Sequence, residues 1–181
     1  MIDNVILESI QAFCQSNVSP KIKLMVPNDD DVTKYDLMHP NVFIGWIPPP
    51  NQLEEVAFQL SNEVKSAIPA MVVGMDDGDD DGSDAGINVR ITFVVYNPGF
   101  YPVEGSVIPN FKGYQDLLNL IYICRQELSS HYIIGDGRTS AQRPFRWGMY
   151  LQQPAGYWVG WLTFRASALS LPYLEPNYIV D

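Results

Sequence analysis

Basic side chains, cysteine and histidine are all scarce in this sequence. Eleven Lys and Arg residues stand against 21 Asp and Glu residues, which leaves a formal net charge of −10. This balance disfavours a protein whose main affinity is for nucleic-acid phosphates, because such binding depends on a basic surface. The two cysteines, Cys14 and Cys124, lie in helical patterns without metal-ligand spacing. We therefore predict that both are buried, reduced thiols.

Long apolar runs and catalytic motifs are also missing. No run approaches the roughly 18 apolar residues of a transmembrane helix. The first residues, MIDNVILESIQ, contain no basic residue and no long apolar stretch, so we expect neither a secretory signal nor a membrane anchor. The motifs HExxH, CxxC, GxSxG, GxxxxGK and GxGxxG do not occur, and His39 and His131 lie in polar or turn contexts. We therefore expect no enzymatic activity and no cofactor.

The apolar residues that are present predict one globular domain over residues 1–181. They make up 46% of the chain, and aromatic residues alone make up 12%. The predicted fold is α+β, with a mixed or mostly antiparallel sheet packed against two or three helices, a long β-hairpin and an extended C-terminal tail. Periodicity predicts helices at 2–16, 53–64 and 113–130, strands at 22–26, 42–46, 70–75, 87–96, 145–153 and 157–168, and the tail at 171–181.

The clearest helical pattern runs from residue 113 to residue 130. Its expected stripe consists of Leu117, Leu118, Ile121, Cys124, Arg125 and Leu128. We expect its leucines and Ile121 to pack on the sheet. Leu118→Asp should then bury an unpaired charge and cost several kcal/mol of stability.

An acidic stretch, MDDGDDDGSDAG at 75–86, separates two predicted strands. Its six aspartates supply more than half of the net charge. From Asp77 the pattern is D-x-D-x-D-G, as in an EF-hand, but the closing position holds Asn88 and both flanks are strands, which excludes that motif. A looser calcium site on Asp77, Asp79 and Asp81 stays an alternative. We interpret residues 76–86 as a solvated hairpin loop that binds calcium weakly or not at all and serves interaction rather than catalysis.

One basic and aromatic cluster lies at the predicted strand 145–153 and just before it. It consists of Arg138, Arg143 and Arg146, interleaved with Phe145 and Trp147. Such interleaving is compatible with a nucleic-acid surface. The negative net charge favours a strand face whose arginines have ion-pair partners.

Three segments together resemble the tail terminator proteins of long-tailed bacteriophages and related phage-tail-like particles. They are VRITFVVYNPG at 89–99, GYQDLLNLIYICRQEL at 113–128 and RWGMYLQQPAGYWVGWLTF at 146–164. The resemblance implies an α/β domain whose mixed or antiparallel sheet is backed by helices, and it implies no catalytic residue. Residues 47–66 and the acidic stretch depart from the family pattern.

The resemblance also implies a role in tail assembly. The chain would form a hexameric ring on the end of the tail tube, stop its polymerisation and join a head connector or collar protein, with the sheath as a further candidate partner. DNA would only pass through the lumen, no membrane would take part, and the protein would reside in the virion tail after assembly in the bacterial cytoplasm. Candidate contact residues are Asp79, Asp80, Asp81, Tyr101, Tyr173 and Tyr178.

Two other functional classes stay open at this point. One is a calcium-dependent binding module built on the D-x-D-x-D-G stretch, and the other is a head-completion or tail-tube protein. A small hydrolase is disfavoured because no nucleophile and base occur in a known spacing. The last residues, LPYLEPNYIVD at 171–181, carry two prolines and two tyrosines, which suit docking on a neighbouring subunit.

Overall fold

The described part of the chain forms two helices packed on a six-stranded sheet. The computed structural model describes residues 2–27, 35–45, 67–80, 85–99, 111–154 and 156–168. The predicted helix at 53–64 and the predicted tail at 171–181 lie outside these residues. The elements are α1 (Ile2–Phe13), β1 (Leu24–Met25), β2 (Leu37–Met38), β3 (Asn41–Ile44), β4 (Ala70–Asp80), β5 (Ala85–Tyr96), α2 (Lys112–Ser130), β6 (Ile133–Ile134), β7 (Thr139–Met149) and β8 (Tyr157–Ala168).

The strand order of the main sheet is β3-β4-β5-β8-β7-β6. Strands β3 and β4 are parallel, and the other neighbouring pairs are antiparallel. Strands β1 and β2 form a separate two-stranded antiparallel sheet. The predicted α+β class, with a mixed and mostly antiparallel sheet, is therefore confirmed.

The core lies between the two helices and one face of the sheet. Every second residue of β5 faces it, because successive side chains of a strand point to opposite faces. Val89, Ile91 and Phe93 are fully buried there, together with Ile6 and Ile10 of α1. Burying one such side chain contributes about 1.5–3 kcal/mol. The predicted alternation in this strand is thus confirmed.

Helix α1 is shorter than the predicted 2–16 segment. It ends at Phe13, and the chain continues through a π-helical turn, Cys14–Val18, and a 3₁₀ turn, Ser19–Lys21. The 3₁₀ turn contains Pro20, and extended backbone begins at Ile22. In the described ranges, no helix is both long enough and apolar enough to span a membrane.

Helix α2 confirms the predicted element but corrects its buried face. Leu117, Leu120, Ile121, Cys124 and Leu128 are buried, whereas Leu118 is only half-buried. The prediction that Leu118 belongs to the core is therefore wrong. The reason is the helical repeat, since positions three and four apart share one face, and Leu117, Leu120, Ile121 and Cys124 follow that spacing.

The described aspartates of the acidic stretch lie in a strand rather than in a loop. Strand β4 extends to Asp80 and β5 begins at Ala85, with Asp77 opposite Asn88 and Asp80 opposite Ala85. The prediction of a loop over 76–86 is wrong for all described residues of that range; residues 81–84 are not described. A register shift between Met75 and Asp77 marks a β-bulge. The backbone pairing with the central strand β5 outweighs the turn preference of Asp and Gly.

Strand β7 begins earlier than the predicted 145–153 segment. It spans Thr139–Met149 and contains Pro144, which has no N–H for the ladder. The register shifts between Gln142 and Arg146, so the proline lies where the pairing with β8 is already interrupted. Strand β8 matches its predicted bounds, and the two-residue strands β2 and β6 were not predicted.

Candidate functional site

The acidic segment Met75–Asp80 is the first candidate surface, and its side chains are exposed. Arg90, on the neighbouring strand β5, donates hydrogen bonds to both carboxylate oxygens of Asp76, and the shortest run from Nε to Oδ1 at 2.8 Å and from Nη2 to Oδ2 at 2.7 Å. These hydrogen bonds raise the pKa of Arg90 above its ordinary value. The Arg90 guanidinium also lies 5.2 Å from the ring centre of Trp161. Such a two-point ion pair positions the carboxylate.

Two further aspartates of this segment have partners of different kinds. Asp77 accepts a hydrogen bond from the Asn88 amide, and Asp79 forms an ion pair with Arg165 of β8. Their carboxylates are therefore engaged by donors across the sheet. Within the described ranges, no three His, Cys, Asp or Glu side chains come together as a metal site. The geometry of Asp77 and Asp79 thus gives no support to the alternative of a calcium-binding module.

The predicted contact residues are only partly described. Asp79 and Asp80 lie next to each other at the end of β4, with exposed side chains. Asp81, Tyr101, Tyr173 and Tyr178 lie outside the described residues. The contact role predicted for these tyrosines and aspartates therefore stays a prediction.

A groove between α2 and β7 is the second candidate surface. The Arg125 guanidinium of α2 lies 3.7 Å from the ring centre of Trp147 on β7. Tyr122 lies one helical turn before Arg125, and the guanidinium is 5.9 Å from its ring centre. Tyr122 is 51% exposed and Trp147 48% exposed. The groove has a volume of about 490 Å³ and is lined by Tyr122, Arg125, Gln126, Ser129, Arg143, Pro144, Phe145 and Trp147.

Phe145 anchors the floor of the groove to the core. Its ring packs edge-on against the buried Phe164 of β8, with 5.5 Å between the ring centres. The guanidinium of Arg143 lies 6.0 Å from the same ring centre. The floor is therefore held by the packing of the sheet, whereas the rim consists of arginine and aromatic side chains that face solvent.

The groove continues along α2 toward the end of the helix. This second part has a volume of about 580 Å³ and shares Ser129, Arg143 and Phe145 with the first. Tyr132 and Ile133, which follow the helix, are both more than half exposed. The result is a continuous surface of apolar and aromatic groups beside the β6–β7 margin of the sheet.

The groove suits binding better than catalysis. Its described lining contains guanidiniums, amides and hydroxyls, but no carboxylate, histidine or cysteine that could act as a base or nucleophile. Tyr, Trp and Arg are the residue types that contribute most to protein–protein binding energy. Half-exposed Tyr122 and Trp147, held in place by Arg125, are therefore suited to contact a protein partner.

Ion-pair partners are predicted for Arg138, Arg143 and Arg146. Among the described residues, none of the three forms an ion pair with a carboxylate. Arg143 instead lines the groove together with Trp147. The sequence pattern assigns no role to Tyr122 and places Arg125 in the buried stripe. The signal for both is an aromatic and a basic residue three positions apart beside that stripe.

The function of this chain is inferred from these two surfaces. No protein-family model matches this chain, and no curated protein sequence matches it significantly.

Proposed function

We propose that this chain is a non-enzymatic tail terminator, a structural protein that closes into a ring of six on the end of a phage or phage-tail-like tube. The observation that carries the proposal is the groove between α2 and β7. It presents Tyr122, Arg125 and Trp147 to solvent on a floor fixed by the core, as expected for a protein-binding surface.

Two further observations support the same role. The described fold, a mixed sheet with helices on one face, agrees with the architecture that the sequence resemblance implies. The net charge of −10 suits a ring through which DNA passes, since negative charge repels phosphates. The partners of such a ring are the tail tube protein, a head connector or collar protein and, as a further candidate, the sheath.

The experiment is a deletion of the encoding gene in the phage or prophage, followed by electron microscopy of the particles. We expect tubes of uncontrolled length, or tails that cannot accept a head or collar. Expression of the intact chain from a plasmid should restore normal particles, and an unrelated small protein expressed in the same way should not.

Two outcomes would count against this role. Complete tails of normal length in the deletion strain would refute the proposal. Tails of normal length beside heads that lack their final closure would instead identify a head-completion protein. Purified chain added to purified tubes provides a second measurement, because a terminator should appear as a ring at one end only.

A further inference from the structure

The two margins of the sheet carry opposite charge. The acidic segment Met75–Asp80 lies on β4, near one margin, and the groove lies along β7, near the other. Strands β5 and β8 separate β4 from β7. At about 4.8 Å for each step between strands, β4 and β7 are on the order of 14 Å apart. The two surfaces therefore face different neighbours and do not meet within one copy.

The charges of these surfaces are complementary. The described acidic segment carries Asp76, Asp77, Asp79 and Asp80. Asp76 and Asp79 pair with Arg90 and Arg165, and Asp77 accepts a hydrogen bond from the uncharged Asn88 amide, so the segment keeps negative charge. Arg125 and Arg143 line the groove, and its described lining contains no acidic residue. Contact between the two surfaces would bring opposite potentials together, which favours both association and correct orientation.

The apolar groups of the two surfaces also match. Met75, at the start of the acidic segment, is 49% exposed. The groove offers the rings of Tyr122 and Trp147, and a thioether packs favourably against aromatic rings. An apolar anchor surrounded by charged groups is the usual organisation of a protein interface.

We propose that the acidic segment Met75–Asp80 of one copy docks on the groove between α2 and β7 of the next copy. This inference rests on the proposed ring function and specifies which surfaces meet in it. Each copy gives one margin of its sheet and receives the opposite margin of its neighbour. Such a head-to-tail contact is heterologous, and it closes into a ring when the rotation between copies permits.

The test is a charge-swap experiment on the full chain. Asp77→Lys alters the acidic segment and Arg143→Glu alters the groove; both side chains are exposed. Sedimentation velocity up to about 100 μM protein gives the dissociation constant for self-association. Each single variant should raise that constant at least about tenfold, and the double variant should restore it, because the charges are then complementary again. Raising NaCl from about 0.05 to 0.5 M should weaken the wild-type contact.

Matched controls lie on other parts of the chain. Lys23→Glu and Asp36→Lys make the same charge changes at exposed positions away from both surfaces and should leave self-association unchanged. Circular dichroism should give the same melting transition for all variants. A variant that fails to melt cooperatively is replaced by Asp77→Asn or Arg143→Gln, which remove the charge without reversing it and should weaken association in the same direction.

Several outcomes would overturn the inference. A wild-type chain that stays monomeric at all these concentrations, or a double variant as weak as its single variants, contradicts the contact. Loss of tube binding in Arg143→Glu with unchanged self-association would assign the groove to the tube protein instead. These results leave the terminator role intact if the wild-type chain still caps tubes. Self-association through this contact without any binding to tubes would instead refute the terminator role alone.

Discussion

Cys14 and Cys124 are the buried thiols of the two helical segments. Both are free and fully buried in the same core cluster. The contact with the Cys14 thiol, together with burial, raises the pKa of Cys124 well above its ordinary value. The thiol of Cys124 therefore stays protonated in the native state at a pH at which an unfolded cysteine ionises.

This shift predicts a loss of stability in alkaline solution. Below the unfolded pKa of about 8.5 both states hold the proton, and above it only the native state does, so the free energy of unfolding should fall as pH rises. The slope from Cys124 should reach at most about 1.4 kcal/mol per pH unit. Urea unfolding under reducing conditions between about pH 7.5 and 9.5 measures it. Cys124→Ala should flatten the profile; an equally steep profile in that variant would assign the slope to other groups.

Gly113 lies at the start of α2, where Trp158 and Asn97 leave no room for a Cβ atom. A Cβ at this position would lie 2.1 Å from Nε1 of Trp158 and 2.9 Å from Cβ of Asn97. The indole Nε1 donates a hydrogen bond to the Asn97 carbonyl at 3.3 Å, so the ring has a defined position. The close approach of helix and indole therefore requires glycine.

Gly113→Ala should consequently destabilise the protein although alanine favours helices. We expect a cost of about 1–3 kcal/mol from overpacking, measured by chemical unfolding. The matched control is Gly74→Ala in β4, where the nearest atom to a new Cβ is the Arg90 carbonyl oxygen at 3.9 Å. Equal stability of the two variants would show that Trp158 moves aside without cost.

At the scale of elements, the buried face of α2 follows from the sheet against which it packs. Leu120 is fully buried, whereas Leu118 is half-buried on the flank of the helix. The same flank presents Tyr122 and Arg125, four and seven positions after Leu118, toward β7. One helix thus supplies both the core contacts and the rim of the groove.

Leu120→Ala should cost about 2–5 kcal/mol, because it removes a fully buried side chain and leaves a cavity. Leu118→Ala is the matched control in the same helix and should cost about 1 kcal/mol or less, since its site is already partly solvated. Denaturant unfolding of both variants gives the comparison. A larger cost for Leu118→Ala than for Leu120→Ala would mean that the Leu118 side chain is buried in solution.

Strand β4 combines two environments along its length. Residues 70–73 are buried between β3 and β5, and residues 75–80 are exposed and mostly acidic. The bulge between Met75 and Asp77 lies at this boundary. The buried half holds the strand in the sheet, and the exposed half presents carboxylates along a regular backbone.

At the scale of the whole molecule, the two helices share a single core with the sheet. Strand β8 is the last described element that contributes residues to the core, and Ala168 is the last described residue. The segment 171–181 can therefore be removed without deleting any residue of that core. Its two tyrosines and two prolines are suited to a neighbouring subunit in the proposed ring.

Deletion of residues 171–181 should leave the melting transition cooperative and nearly unchanged, while weakening every interface of a head-to-tail ring at once. Differential scanning calorimetry checks the first expectation, and rings formed on purified tubes check the second. A truncated chain that no longer unfolds cooperatively would show that the segment completes the domain. Rings of undiminished stability would exclude it from the interface.

The sequence by itself determined the elements with a strong local period. The alternation in β5 and the helical period of α2 repeat with the geometry of one backbone segment, so both elements could be predicted without knowing their neighbours, although the exact buried face of α2 could not. The same holds for the bounds of β8 and for the mostly antiparallel α+β class. For the candidate groove, the sequence indicated only the arginine and aromatic residues, and it did not indicate that they line one surface.

Tertiary structure decided the environment of the charged and aromatic side chains. Asp76 and Asp79 meet Arg90 and Arg165 because β4 pairs with β5 and β5 pairs with β8 in one particular register, and no local pattern encodes that register. Arg125 meets Trp147 because α2 crosses the sheet beside β7. The physical reason is that a repeat along the chain reports which side of an element is apolar, whereas a contact between distant residues depends on strand order and packing.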